Sequence, residues 1–120
     1  MGRRVEKPWG YELIWAETPH YVGKILVVRK GERLSWQYHR MKDETLCVAE
    51  GVVDFEYQHG DDRQVLRLVK DESIHVPKGM RHRVIAVEDA RVFEVSTPQT
   101  DDIVRLEDAY GRLTSKVSMP

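Results

Sequence analysis

Three side chains that can bind a metal ion lie within eight consecutive residues: Gln37, His39 and Glu44. Gln37 and His39 are two positions apart, so on an extended strand their side chains point to the same face. Lys42 and Asp43 favour a turn, after which a returning strand would bring Glu44 to the same point. This arrangement predicts a compact site in which nitrogen and oxygen atoms hold a metal ion.

A fourth candidate ligand, His82, follows a predicted turn at 77–79, where the sequence is Pro-Lys-Gly. The turn directs a histidine from the start of the next strand towards the same point. Two imidazoles, one carboxylate and one amide oxygen suit a single divalent ion, and we expect Zn²⁺, with Fe²⁺, Mn²⁺, Co²⁺ and Ni²⁺ as alternatives. Such an ion acts as a Lewis acid with one or two positions open to substrate oxygens. Gln37 is the weakest ligand of the four, and its alternative role is a hydrogen bond to one of the other ligands.

The elements that must position these residues are short β-strands. Runs rich in β-branched residues, or alternating between apolar and polar residues, recur between turns of glycine, proline and aspartate. Val53, Phe55 and Tyr57, for example, alternate with polar residues ahead of a hairpin turn at 60–62. Eight to ten such strands and no convincing long helix predict an all-β barrel or sandwich. The predicted strands are 11–16, 21–29, 34–39, 44–49, 52–59, 64–69, 73–76, 81–87 and 90–96.

Length and composition favour one small globular domain. The chain has 120 residues, which we interpret as a single domain over 1–120 with residues 101–120 as a C-terminal arm. The formal net charge is −1, so we expect no nucleic-acid partner and no attraction to an anionic membrane. A single cysteine excludes an intrachain disulfide, and no apolar run is long enough to cross a membrane. The N-terminus lacks the apolar segment of a signal peptide, so we expect a cytoplasmic protein.

The two ligand-bearing stretches together resemble the two short motifs of the cupin superfamily. The first motif matches at Gly31, His39, Glu44 and Gly51, with Gln37 where many cupins carry their first histidine, and the second matches at Pro77, Gly79 and His82. The chain departs from the pattern at Asp71, where cupins often have glycine, and at Ala86, where they often have asparagine. The resemblance implies a small cupin β-barrel of the jelly-roll type, with Gln37, His39, Glu44 and His82 around the metal ion.

A closer resemblance is to the cupin domain of type II phosphomannose isomerases. It rests on Leu-Ser-x-Gln-x-His at 34–39 and on the tail at 101–112, and it covers the chain from Lys7 to about Arg112. Those enzymes usually fuse this domain to a mannose-1-phosphate guanylyltransferase domain. The glycine-rich nucleotide-binding part is absent here, so we expect no nucleotidyl transfer.

The resemblance implies a metal-dependent sugar-phosphate isomerase that converts mannose 6-phosphate to fructose 6-phosphate through an enediol. The ion would polarise the carbonyl and its neighbouring hydroxyl, and a base would move a proton between adjacent carbons. Two alternatives remain open. One is a non-catalytic sugar-binding or regulatory cupin, and the other is a small metal-dependent cupin oxygenase.

Two arginines in the tail, Arg105 and Arg112, are candidates for binding the phosphate, because a guanidinium presents forked hydrogen-bond donors. By resemblance, Arg105 also matches an arginine that is linked to isomerase activity, which makes it a candidate catalytic residue. The alternative for both is a surface ion pair with Glu107 or Asp108.

Two further residues have open interpretations. Lys24 either points inward and helps to bind phosphate or is exposed on its strand. His75 either faces the cavity as a base or proton shuttle or lies on the surface. We also expect a homodimer, because a barrel this small has exposed strand edges and an aromatic-rich N-terminal strand that a second copy would cover.

Overall fold

The structure, a computed structural model, describes residues 2–99 and 101–113, and these residues form eleven β-strands and no helix. The all-β fold expected from the sequence is therefore confirmed. Within the described ranges there is no helix long and apolar enough to cross a membrane. The strands are β1 (Arg3–Lys7), β2 (Gly10–Glu17), β3 (Val22–Val28), β4 (Trp36–Tyr38), β5 (Glu44–Glu50), β6 (Val53–His59), β7 (Asp62–Leu68), β8 (Ser73–Val76), β9 (His82–Ala86), β10 (Ala90–Ser96) and β11 (Val104–Glu107).

The strands form two antiparallel sheets around an apolar core. One sheet has six strands in the order β1-β2-β3-β10-β5-β8, and the other has five in the order β11-β4-β9-β6-β7. Val28, Val48 and Val92 of the first sheet and Phe55 and Val84 of the second are at most 2% exposed and belong to one cluster. Burial of these side chains from both sheets holds the two layers together.

Strand β10 shows how the period of two separates the inside of the barrel from the outside. Val92, Glu94 and Ser96 are buried, whereas Phe93 and Val95 between them are exposed. A charged residue, Glu94, therefore occupies an inward position on a central strand. Buried charges require partners, so this position indicates a polar region inside the barrel.

Two strands were not predicted, and both lie at sheet edges. Among the described strands β1 pairs with β2 alone, and its mostly exposed, charged residues give little apolar pattern to recognise. Strand β11 lies in the tail that was interpreted as an arm and pairs with β4, with Arg105 opposite Gln37. Strand β1 is fixed by a tight hairpin with β2, whereas β11 is fixed by pairing with a strand that is distant in sequence. The last part of the predicted arm, 114–120, lies outside the described residues.

The departure from the cupin pattern at Asp71 has a conformational explanation. Asp71 has a φ of 73°, the one positive value among the described residues other than glycine. Glycine adopts this conformation freely, and aspartate is among the few other residues that tolerate it. The backbone shape that favours glycine is therefore kept, and the Asp71 amide donates a 2.8 Å hydrogen bond to the carbonyl of Val48.

Candidate metal centre

His39, Glu44 and His82 converge inside the barrel. Their ligand atoms all lie within 4.8 Å of one another, and all three side chains are buried. The Nε2 atom of His82 is 3.4 Å from Oε1 of Glu44, and Nε2 of His39 is 3.7 Å from the same oxygen. The two stretches of sequence that carry these residues therefore bring three potential ligand atoms to one point.

Backbone carbonyls fix the orientation of both imidazole rings. Nδ1 of His39 donates to the carbonyl of Asp102 at 2.6 Å, and Nδ1 of His82 donates to the carbonyl of Met80 at 2.9 Å. Because each Nδ1 carries the proton, each Nε2 presents its lone pair to the cavity, as a metal-binding histidine requires.

The surroundings of His39 Nε2 also fit a bound cation. This atom is buried and has no hydrogen-bond partner among residues 2–99 and 101–113. Buried polar atoms are nearly always satisfied, so an unpaired lone pair that faces a carboxylate and a second imidazole points to a missing ligand. Two imidazoles and a carboxylate are the ligand types that hold zinc and related ions.

The turn between His39 and Glu44 is joined directly to the second motif. The amide of Gly79 donates to the carbonyl of His39 at 2.7 Å, and Gly79 has a φ of 83°, which a residue with a side chain would rarely adopt. This contact places the start of β9, and with it His82, beside the end of β4. The proline-glycine turn therefore acts as predicted from the sequence.

Gln37 lines the same cavity and is 7% exposed. It lies opposite His82 in the pairing of β4 with β9. Its Oε1 accepts a hydrogen bond of 2.6 Å from the hydroxyl of Ser35, which leaves one lone pair of that oxygen for another partner. Its role as a fourth ligand stays a prediction.

Lys42 is a functional candidate that the sequence interpretation placed in a turn. It is 5% exposed, and its Nζ lies 3.0 Å from Oε2 of Glu44 and 2.9 Å from Oε2 of Glu94. By holding Oε2 of Glu44, Lys42 leaves Oε1 of the same carboxylate facing the two histidines. The ligand carboxylate therefore has a fixed orientation.

Burial and pairing shift the pKa values of these three groups in different directions. Burial alone would raise the pKa of Glu44, but His39, His82 and Lys42 lower it well below its usual range. Burial lowers the pKa of Lys42, but the Glu94 and Glu44 carboxylates outweigh it and raise that pKa. Burial, and then the charge of Glu44, raise the pKa of Glu94. Glu44 is therefore held as an anion and Lys42 as a cation.

Four basic side chains also line the cavity: Lys7, Lys24, Arg105 and Arg112. Lys24 is 6% exposed and points inward, with its Nζ 3.5 Å from Oε1 of Glu12. Burial, and then the charge of Arg112, lower the pKa of Arg105. The structure therefore brings the three predicted phosphate-binding residues to one cavity, together with Lys7.

Two of these basic residues have distinct surroundings. Lys7 is half-buried and makes no salt bridge with a carboxylate in the described part of the chain. Burial lowers the pKa of Lys7. The charge of Glu12 opposes this shift, and the charge of Arg105 adds to it. Arg112 pairs with Asp108, with its Nη2 2.9 Å from Oδ1, but this is not the surface ion pair of the alternative interpretation, because the side chain of Asp108 is fully buried. Because it lines the cavity as well, this ion pair does not remove it from the site.

His75 lies on the outside of the barrel, which matches the surface interpretation. Its side chain is 58% exposed, and its Nε2 is 2.7 Å from Oδ1 of Asp43. It pairs with Thr45 on β5, whereas the neighbouring Glu44 faces inward. The alternation along β5 and β8 therefore places His75 on the face opposite the cavity.

Four charged residues that line the cavity were not identified from the sequence: Lys7, Glu12, Lys42 and Glu94. For Glu94 a signal was available, since it shares its strand face with Val92 and Ser96. Glu12 has the same signal, since it shares its strand face with buried Ile14. Lys7 and Lys42 carry no comparable signal, because charged residues at strand ends and turns are usually solvated.

The chain matches a family model described as Mannose-6-phosphate isomerase C-terminal over residues 1–108. It is 36% identical over 116 residues to the xanthan biosynthesis protein XanB of Xanthomonas campestris pv. campestris, covering 92% of this chain and 24% of that protein. It is 34% identical over 119 residues to the mannose-1-phosphate guanylyltransferase ManC of Salmonella typhimurium, covering 94% of this chain and 24% of that protein. The chain therefore spans about a quarter of the length of these curated relatives.

Solved structures agree on the fold. An oxalate decarboxylase variant of Bacillus subtilis superimposes with a TM-score of 0.78 at 12% identity, covering 97% of this chain and 33% of that chain. KdgF from a Halomonas species superimposes with a TM-score of 0.71 at 21% identity, covering 84% of this chain and 90% of that chain. These likenesses confirm the cupin-type β-barrel that the two motifs predicted.

Proposed function

This chain belongs to the mannose-6-phosphate isomerase C-terminal family, and we propose that it is a metal-dependent isomerase that interconverts mannose 6-phosphate and fructose 6-phosphate. The observation that carries the proposal is that one cavity is lined both by a convergent His-Glu-His cluster and by four basic side chains. A metal-assisted aldose–ketose isomerisation of a phosphorylated sugar uses both features, the ion for the carbonyl oxygen and the basic side chains for the phosphate. A ligand cluster alone would support any cupin enzyme.

In this proposal, His39, Glu44 and His82 hold one divalent ion, preferably Zn²⁺, with Gln37 as a fourth ligand. When bound, the ion supplies Lewis acidity to the oxygens of the carbonyl and the adjacent hydroxyl. The chain's own contribution is orientation: carbonyls of the backbone fix both imidazoles, and Lys42 fixes the carboxylate.

The basic side chains provide the phosphate site in this proposal. Lys24, Arg105 and Arg112 bind the phosphate oxygens, and Lys7 adds a fourth positive charge. Because Lys7 and Arg105 are partly withdrawn from water, each attracts an anion more strongly than an exposed side chain would.

The proton transfer between adjacent carbons requires an ionisable group in the cavity. Glu94 is buried and lines the cavity, and burial raises its pKa, so its carboxyl takes up a proton more readily than that of an exposed glutamate. Lys42, by contrast, is held as a cation between two carboxylates and is a poor base. We therefore assign the proton transfer to Glu94, with Arg105 beside the reacting sugar.

We further propose a cytoplasmic homodimer that forms through the outer face of the six-stranded sheet. Phe93, Val95 and Trp15 are 44%, 54% and 55% exposed there. Phe93 pairs with Ile25 and Cys47 on its two neighbours, so an uncharged row crosses the three central strands β3, β10 and β5. Such an uncharged patch suits contact with a second copy of itself about a two-fold axis. In sedimentation equilibrium, Phe93→Lys should give monomers, whereas Val65→Lys on the other sheet should leave the dimer intact.

The test of the isomerase activity is a coupled assay for fructose 6-phosphate with the purified full chain loaded with Zn²⁺. We expect turnover of mannose 6-phosphate that a chelator abolishes and that added Zn²⁺ restores. Mannose without phosphate should react far more slowly, because the basic side chains would have no anion to bind. If the chain binds mannose 6-phosphate tightly but no metal ion supports turnover, it is a non-catalytic sugar-binding protein. If the iron-loaded chain takes up oxygen, it is an oxygenase.

A further inference from the structure

Asp102 makes contacts to the metal-ligand stretch from a distant part of the chain. Its backbone carbonyl accepts the Nδ1 proton of His39 at 2.6 Å. Its carboxylate accepts hydrogen bonds from three consecutive backbone amides, at 3.0 Å from Arg40, 2.6 Å from Met41 and 2.9 Å from Lys42. One residue therefore contacts both a ligand ring and the turn that follows it.

The turn that Asp102 holds is the connection between two of the ligands. It begins directly after His39 and ends at Glu44, and the next amide along, that of Asp43, donates to the hydroxyl of Thr97 at 3.0 Å. Side chains from outside the turn thus satisfy four consecutive amides. Without these acceptors the amides would form hydrogen bonds to water, and the distance between His39 and Glu44 would be less tightly fixed.

Asp102 is suited to this task as an anion. Burial raises the pKa of its carboxyl, but the hydrogen bonds from the amides of Met41, Arg40 and Lys42 outweigh it and lower that pKa below its usual range. A carboxylate that accepts several amide protons is held in one orientation. The contact is therefore a fixed part of the fold.

We propose that Asp102 is a positioning residue of the metal centre, whose carboxylate sets the distance between His39 and Glu44 and whose carbonyl sets the ring of His39. The proposal rests on the metal centre described under the proposed function. It adds a residue 63 positions away from His39 along the chain. Asp102 also begins the segment that carries Arg105, so one residue ties the phosphate-binding tail to the metal ligands.

The test uses Co²⁺ as the probe, because its absorption spectrum reports ligand geometry without any turnover. In the full chain, Asp102→Ala should weaken Co²⁺ binding by about 10- to 100-fold, the usual loss when a group that orients a ligand is removed. Asp102→Asn keeps an acceptor oxygen but loses the charge, and it should fall between Asp102→Ala and wild type. Both variants should change the visible spectrum of bound Co²⁺.

The matched control is Asp101→Ala, which removes an exposed acid at the neighbouring position. It should bind Co²⁺ as wild type does, with the same spectrum. Thermal unfolding of all metal-free proteins accompanies the titrations, and if Asp102→Ala does not fold, Asp102→Asn carries the test.

Three outcomes decide the proposal. Weaker Co²⁺ binding with an altered spectrum in the Asp102 variants supports it. Wild-type affinity and spectrum in a variant that is merely less stable to heat would overturn it, because Asp102 would then support the fold alone. A wild-type chain that binds no Co²⁺ would overturn the metal centre and this proposal together, whereas Co²⁺ binding without isomerase turnover would overturn only the proposed reaction.

Discussion

Paired charges occur both inside this barrel and on its outer surface, and the two groups differ mainly in burial. Inside, Lys42 lies between Glu44 and Glu94, and all three side chains are at most 6% exposed. Outside, on the five-stranded sheet, Asp54 and Arg67 face each other across β6 and β7 with side chains 23% and 61% exposed. The distances are similar, at 2.9 Å to 3.0 Å.

This difference in burial shows which charged residues need a functional explanation. An exposed pair contributes little to stability, because water solvates either partner when the other is lost. A buried pair loses that solvation, and apolar residues would often fill the same space at no loss of stability. The charged residues inside the barrel therefore point to function, because apolar residues could have filled the same positions. The outer ion pairs need no functional explanation, since they lie on an ordinary solvated surface.

The largest effect is expected from the buried ligand. Glu44→Gln removes the charge from the proposed metal site, and the affinity for Co²⁺ in an equilibrium titration should fall by more than about 100-fold, beyond the usual loss from groups that only orient a ligand. Glu50→Gln, at the exposed end of the same strand, should leave the affinity unchanged. Wild-type affinity in Glu44→Gln would remove this residue from the ligand set.

The next effect compares the two kinds of ion pair directly. In the metal-free chain, Lys42→Met leaves two carboxylates buried without their cation, and urea denaturation should show the free energy of unfolding lowered by about 3–5 kcal/mol. Arg67→Met on the outer surface should lower it by less than about 1 kcal/mol. Adding Glu94→Gln to Lys42→Met should restore part of the loss. Equal losses in the free energy of unfolding for Lys42→Met and Arg67→Met would contradict the distinction between the buried and the exposed ion pairs.

The smallest effect is the pH dependence of the outer pair. The hydrogen bond from Arg67 lowers the pKa of Asp54, against a small opposing effect of burial. Because the folded pKa lies below the unfolded one, the pair stabilises the fold above the unfolded value of roughly 3.9 and loses this contribution as the pH falls through the folded pKa. The difference in stability between wild type and Arg67→Met should therefore be largest near neutral pH and shrink below about pH 4. If the difference in stability stays constant from pH 7 to pH 3, it arises from packing of the aliphatic part of the Arg67 side chain and not from the ion pair.

Nine of the eleven strands were predictable from sequence, including the edge strands β7 and β8, whereas the edge strands β1 and β11 were not. The alternation of Val53, Phe55 and Tyr57 with polar residues placed β6 correctly, and the turn at 60–62 joins it to β7. Strand β1 carries no such pattern, because its residues are mostly charged and exposed. Strand β11 does alternate between apolar and polar residues, but a run of four residues is too short to distinguish a strand from a turn of helix. Prediction from a period of two works where one face of a strand is buried.

The sequence by itself identified the candidate ligands: His39 and Glu44 are joined by one short turn, which is a local feature, and His82 is marked by the resemblance to the second cupin motif. The approach of His82 to the other two depends on the pairing of β4 with β9 and on the contact between Gly79 and His39. Only the tertiary structure decided that Lys42 and Glu94 meet inside the barrel, and that His75 faces away from it. Those outcomes depend on strand register and on contacts such as the one between His39 and Asp102, which are 63 residues apart. Local propensities do not specify which distant strands pair, so the ligands could be recognised from sequence, while the groups that orient and surround them could not.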